Sequence, residues 1–240
     1  ERKFFLEAKK PSVKIDSDEK SAKQVRRYGF TAKLKISVLS NFEYLAIYDC
    51  SQKVEDTDLA NNSRIKLYHY SEYEENFEEI KQQLSYEIVY NGGFDEIWKN
   101  IEAQLERFSV DKLFLKQIND WRILLGKEIY SHKQDLTIEE LNDIVQSYIN
   151  SIVFLRVCED RDLETYKTLS NYADKNDFNS LINKFKESDK KYNAGFFNLD
   201  FVDEIISNNS SSFWTIIKQL YFPQNSYSFS VFASDILGSI

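Results

Sequence analysis

The sequence predicts an α+β protein, a small mixed β-sheet with flanking helices followed by an all-α half, and three observations predict it. In the first seventy residues, short apolar stretches of strand length alternate with one segment of helical period. Beyond about residue 73 the helical period takes over and persists. Only six glycines and two prolines occur in 240 residues, too few for a turn-rich all-β fold.

The first stretch, Phe4-Phe5-Leu6-Glu7-Ala8-Lys9-Lys10, runs into Pro11, which halts a strand. Extended, it sets Phe4, Leu6 and Ala8 on one face and Phe5, Glu7 and Lys9 on the other. A carboxylate and an ammonium thus share one face of an otherwise apolar strand. Burying either without compensation is costly, so that face is expected to look onto a wet cleft, a metal or a partner. Glu-x-Lys fits a metal-nuclease half-site. By itself, the tripeptide arises more often as a surface ion pair on an edge strand.

Ser17 is placed to cap a helix running to about Phe30, with Asp18 and Glu19 in its first turn. Ala22 and Val25 form its inner stripe, while Lys20, Gln24, Arg27 and Tyr28, three and four apart, gather on one flank. Leu34–Leu39 alternates, Ser40-Asn41 turns, and Tyr44–Tyr48 reads as a buried strand. A polar loop over 51–63 leads to a further strand, Arg64–Tyr70. Helices are then expected over Tyr73–Leu84, Phe94–Phe108 and Asp111–His132, the last with Leu113, Leu115, Ile118, Trp121, Leu124 and Leu125 at helical spacing. Thr137 with Glu140 forms a capping box that opens the longest helix. Three more follow over 176–187, 199–207 and 211–220, before Pro223. The domains are expected to be 1–105 and 106–240.

Composition narrows the class. Forty-two per cent apolar residues, with 36 Phe, Tyr and Trp, describe a folded protein. No apolar run reaches membrane-spanning length and no secretory signal opens the chain, so a cytoplasmic protein without membrane contact is expected. Cys50 and Cys158 read as reduced thiols. With only His69 and His132 beside them, and no CxxC, the sequence offers no zinc site. Net charge is −8, yet residues 1–37 carry eleven Lys and Arg against five acids. A basic segment on an acidic body suits local phosphate contact. The chain has no Met and opens in what reads as mid-strand, so it is expected to be a piece of a longer polypeptide.

Three ordered segments are more specific than any single motif: Phe5–Pro11, Gln24-Val25-Arg26-Arg27-Tyr28-Gly29 and Val38–Asp49. Together they resemble the amino-terminal nuclease module of bacterial restriction–modification enzymes that fuse endonuclease and adenine methyltransferase (the type IIG/IIL group). Ile152–Arg161 resembles the helical connector of that group. Leu220–Pro223, Tyr227-Ser228-Phe229 and Ile236–Ile240 resemble the connector's end.

The resemblance implies a PD-(D/E)XK, restriction-endonuclease-like fold that hydrolyses phosphodiester bonds of double-stranded DNA with Mg²⁺. It implies Glu7 as metal ligand, joined by the Ala8 backbone carbonyl, and Lys9 as the group that orients water and offsets developing charge. Gln24 and Tyr28 match a Gln-x-x-x-Tyr element, and Arg26, Arg27 and Lys10 are candidates for DNA contact or positioning. The family's first catalytic Asp, on the strand before Glu7, is expected to be missing here. The methyltransferase with its S-adenosylmethionine, and the target-recognition domain, are expected downstream of residue 240. Two other readings remain open: a non-catalytic DNA-binding or scaffolding module with a decayed nuclease fold, and the nuclease part of a multi-subunit restriction complex. Arg156 and Asp160 read as an intrahelical ion pair, the three tryptophans as core, and Asn91-Gly92-Gly93 as a turn or helix cap.

Overall fold

The computed structural model of the chain describes residues 2–101, 110–195, 197 and 211–232. It packs as two compact units, Glu1–Val110 with Ser226–Val231, and Asp111–Asn225 with Phe232–Ile240. The expected boundary near 105, the end of the helix expected to reach Phe108, the helix over 199–207 and the motif Ile236–Ile240 lie outside the described residues.

In the first unit, β1 (Phe4–Ala8), β2 (Ile36–Ser40), β3 (Tyr44–Asp49) and β4 (Arg64–His69) form one mixed sheet in the order β1-β2-β3-β4. β1 runs parallel to β2, which requires the crossover that α1 (Glu19–Thr31) provides; the other two pairings are antiparallel. In register, Leu6 sits beside Val38, Glu7 beside Leu39 and Ala8 beside Ser40. Of β2 only Ser40 escapes full burial, because both faces of this strand are covered.

Two cores lie on the two faces. Ala22 and Val25 of α1 pack with Ile15, Leu39, Ala46, Tyr48 and Ala60. Opposite, Ile36, Ile47 and Tyr68 meet Phe94, Trp98 and Ile101. That second face is covered by α2 (Phe77–Leu84), α3 (Tyr86–Tyr90) and α4 (Gly93–Ile97). Phe4 stacks on Phe94 there, whereas Leu6 is 58% exposed and lines an apolar groove with Ala8, Leu45 and Phe77.

α1 is capped by Asp18, not Ser17. The Asp18 backbone is extended and its carboxylate accepts from Ser21 N at 2.9 Å, while the Ser17 N–H is spent on Lys14 O in the preceding turn. The inner face of α1 reaches Gly29, which lies against Ser37 of β2 and Cys50. Gly92, at φ +86°, caps α4 as the sequence suggested.

The second unit is helical: α5 (Val110–His132), α6 (Ile138–Asp160), α7 (Thr168–Lys175), α8 (Phe178–Tyr192) and α9 (Ser211–Lys218). The capping box of Thr137 and Glu140 opens α6. On α5 the buried stripe is Phe114, Ile118, Trp121, Leu125 and Ile129, so the expected Leu113 and Leu124 are displaced to its exposed flank. The spacing 4-3-4-4 tracks one helix face more closely than the leucine pattern does. Arg156 and Asp160 pair at 2.5 Å as expected, but fully inside: the guanidinium lies 4.5 Å from the Tyr221 ring and donates from Nε to Leu220 O. Trp98, Trp121 and Trp214 are all core.

Candidate active site

Strand β1 positions the first two groups. Its alternation sends Glu7 and Lys9 to the α1 side of the sheet, and Lys9 Nζ donates to Glu7 Oε1 at 2.9 Å. The Lys9 backbone is anchored by its N–H, which donates to Ser40 O at 2.8 Å. Both side chains keep part of their surface in water, 21% for Lys9 and 29% for Glu7. The pair therefore faces solvent from the rim of the sheet, where its charges need little desolvation.

Helix α1 supplies the third and fourth groups. Lys9 Nζ also donates to Gln24 Oε1 at 2.9 Å, and Gln24 Nε2 donates to Tyr28 OH at 2.8 Å. The i, i+4 spacing puts Gln24 and Tyr28 one above the other on the flank that faces β1. Tyr28 is held in turn by Phe5, edge to face at 6.0 Å between ring centroids. An acid, an amine, an amide and a phenol from two elements thus form one chain of hydrogen bonds.

The remaining candidates do not join that chain. Arg26 is 2% exposed and donates to Asp58 Oδ2 at 2.8 Å, on the inner side of α1. A phosphate contact would need this buried guanidinium to leave its carboxylate, and the expectation for it is corrected accordingly. Arg27 is half-buried and donates to the backbone carbonyls of Tyr227, at 2.6 Å, and Ser226, at 3.4 Å. It anchors the segment that also caps Thr31, whose Oγ1 accepts from Ser228 N. Lys10, by contrast, is exposed.

Sequence reasoning missed two supports. Phe5 steadies Tyr28, and its place on the Glu7 face was readable from the period of two. Asn41, fully buried, donates to Val13 O and accepts from Tyr44 N, so the β2–β3 turn is tied to the loop after β1. No local pattern announces that tie.

A hard divalent cation needs several oxygen ligands. Glu7 is a suitable donor, but no group of three or more metal-capable side chains occurs among the described residues. The described part of the site is thus one carboxylate of a cation site, beside an amine.

The whole chain, all 240 residues, is 64% identical to the Type II restriction enzyme and methyltransferase RM.Eco57I of Escherichia coli. This chain is homologous to part of a restriction–modification enzyme. It spans 24% of that relative's length. No family model and no solved structure matches it. Among the described residues, no helix is long and apolar enough to cross a membrane.

Proposed function

We propose that the chain is the DNA-cleaving portion of a restriction–modification enzyme, a PD-(D/E)XK module that hydrolyses phosphodiester bonds of duplex DNA with Mg²⁺. The observation that carries this reading is the contact of Lys9 with both Glu7 and Gln24 on one solvent-facing rim. A phosphodiester resists attack because its own charge repels nucleophiles and because negative charge builds on the non-bridging oxygens. Lys9 supplies a fixed positive charge toward those oxygens, and its ammonium can hydrogen-bond an approaching water. Gln24 holds the amine against rotation, and Tyr28 holds Gln24.

Glu7, with the Ala8 carbonyl, is the donor this segment would contribute to Mg²⁺. When bound, the cation supplies a Lewis acid for a phosphate oxygen and a more acidic water. The relative's name joins restriction to methylation, which favours the fused reading over a multi-subunit complex.

On the full-length protein, Glu7→Ala or Lys9→Ala should abolish Mg²⁺-dependent cleavage of plasmid DNA while any methylation persists. Undiminished cleavage by Lys9→Ala would refute the role given to that amine. The single carboxylate among the described metal donors favours one rival, a non-catalytic DNA-binding module. Salt-dependent DNA binding without metal-dependent nicking, in the full-length protein, would decide for the rival.

A further inference from the structure

With Arg26 and Arg27 engaged elsewhere, the phosphate contacts that a DNA-cleaving site needs must come from other cations. We propose that Lys10, Lys14 and Lys20 form a phosphate-binding track beside Glu7 and Lys9, gripping the backbone of duplex DNA without reading its sequence. This rests on the nuclease reading above and adds to it the residues that hold the substrate.

Three features carry the inference. All three lysines are exposed, and none of their ammonium groups has a hydrogen bond or ion pair with another described residue. Their positions converge on the site: Lys10 follows Lys9 directly, and Lys20 stands one helical turn before Gln24 on the same flank of α1. Lys14 lies on the loop that joins these two points.

That loop is fixed. Ile15 is fully buried, Val13 N donates to Lys10 O, Asp18 N to Lys14 O, Asn41 Nδ2 to Val13 O and Arg64 Nη1 to Asp16 O. Anchored backbone with outward amines lowers the entropy cost of gripping a ligand. The acids of the same stretch are already occupied. Asp18 caps α1, Glu19 pairs with Lys23, and Asp16 Oδ1 accepts from the Ser17 hydroxyl at 3.5 Å.

The test is binding of the protein to a fluorescein-labelled 30-bp duplex of arbitrary sequence, followed by anisotropy from 50 to 200 mM KCl. Each phosphate released should lower the slope of log K against log salt by about 0.9, so Lys10→Gln/Lys14→Gln/Lys20→Gln should lower it by about 2.7. The control is Lys53→Gln/Lys81→Gln/Lys99→Gln, equally exposed lysines of the same unit, which remove the same charge and should leave the slope nearly unchanged. An unchanged slope in the first variant overturns the track alone and leaves the Glu7–Lys9 site standing. Equal losses in both variants also overturn it, in favour of net charge. A wild-type protein with no salt-dependent binding overturns the track and the DNA reading together.

Discussion

Replacing Gly29 by Ala should destabilise the first unit, although helix propensity alone argues the reverse. In a helix interior Ala is favoured over Gly by about 1 kcal/mol. At position 29, however, an added Cβ would stand 2.5 Å from Ser37 Oγ and 2.7 Å from Cys50 Cβ, and closer still to Cys50 Sγ. Ordinary carbon contacts lie near 3.5–4.0 Å, so α1 or its neighbours must retreat by roughly 1 Å. Ser37 and Cys50 are both fully buried and cannot swing into solvent. Overpacking of this kind costs about 1–3 kcal/mol, which exceeds the propensity gain at all but its lower end.

The same displacement reaches the site, because Gln24 rides on α1. Moved by roughly 1 Å, its 2.9 Å bond to Lys9 falls outside hydrogen-bonding range, and cleavage should drop by up to about 100-fold. The assay is urea-dependent hydrogen exchange of the α1 and β2 peptides, which isolates this unit from the helical one. Cys50→Ala in the Gly29→Ala background should recover only part of the loss, since Cβ of residue 50 remains. A Gly29→Ala protein more stable than wild type would refute the close-packing argument.

Three further outcomes are expected. Tyr28→Phe keeps the ring on Phe5 but removes the acceptor for Gln24 Nε2, a bond worth about 1 kcal/mol, so cleavage should slow about 5-fold with DNA affinity unchanged; weakened affinity instead would make Tyr28 a DNA contact. Burial pushes the Cys50 thiol up to about 12, so native protein should resist iodoacetamide at that residue at pH 8, and rapid native labelling would contradict the packing. Burial also works to raise the Glu164 carboxyl, but hydrogen bonds from Lys184, Lys191 and Tyr192 outweigh it and bring it from 4.5 to about 2. Its stabilisation, up to about 3 kcal/mol, is therefore fully present above pH 4.5 and lost as pH falls toward 2; Glu164→Gln should flatten the acid limb of a stability–pH curve.

Much of the sheet was legible because its signal is local. The period of two in Phe4–Lys9 fixed which face carries Glu7 and Lys9, and the structure keeps that face. The capping box at Thr137 was legible for the same reason, a side chain meeting a backbone three residues away. What was missed depends on partners distant in sequence or on backbone conformation. Arg26 looked like a surface cation because its carboxylate, Asp58, lies 32 positions away. Helix α7 was overlooked because it is eight residues long and bounded at both ends by left-handed residues that are not glycine, Lys167 at φ +67° and Asn176 at φ +49°. Ser17 and Asp18 are both good caps, and only the turn through Lys14 decides between them.

These misses share a consequence for the site. The strand contributes the acid and the amine, but a strand alone leaves Lys9 free to turn into solvent. The amide that restrains it comes from a helix whose distance from the sheet is set elsewhere, at Gly29 against Ser37 and Cys50. Five residues separate Gly29 from Gln24, so the closest approach of α1 to the sheet lies within two turns of the group it must aim. The Glu-x-Lys tripeptide is therefore too little to define this site. A chain with the same tripeptide but a larger residue at 29 would hold Gln24 too far out, and its Lys9–Glu7 pair would be the surface ion pair that the tripeptide more commonly makes.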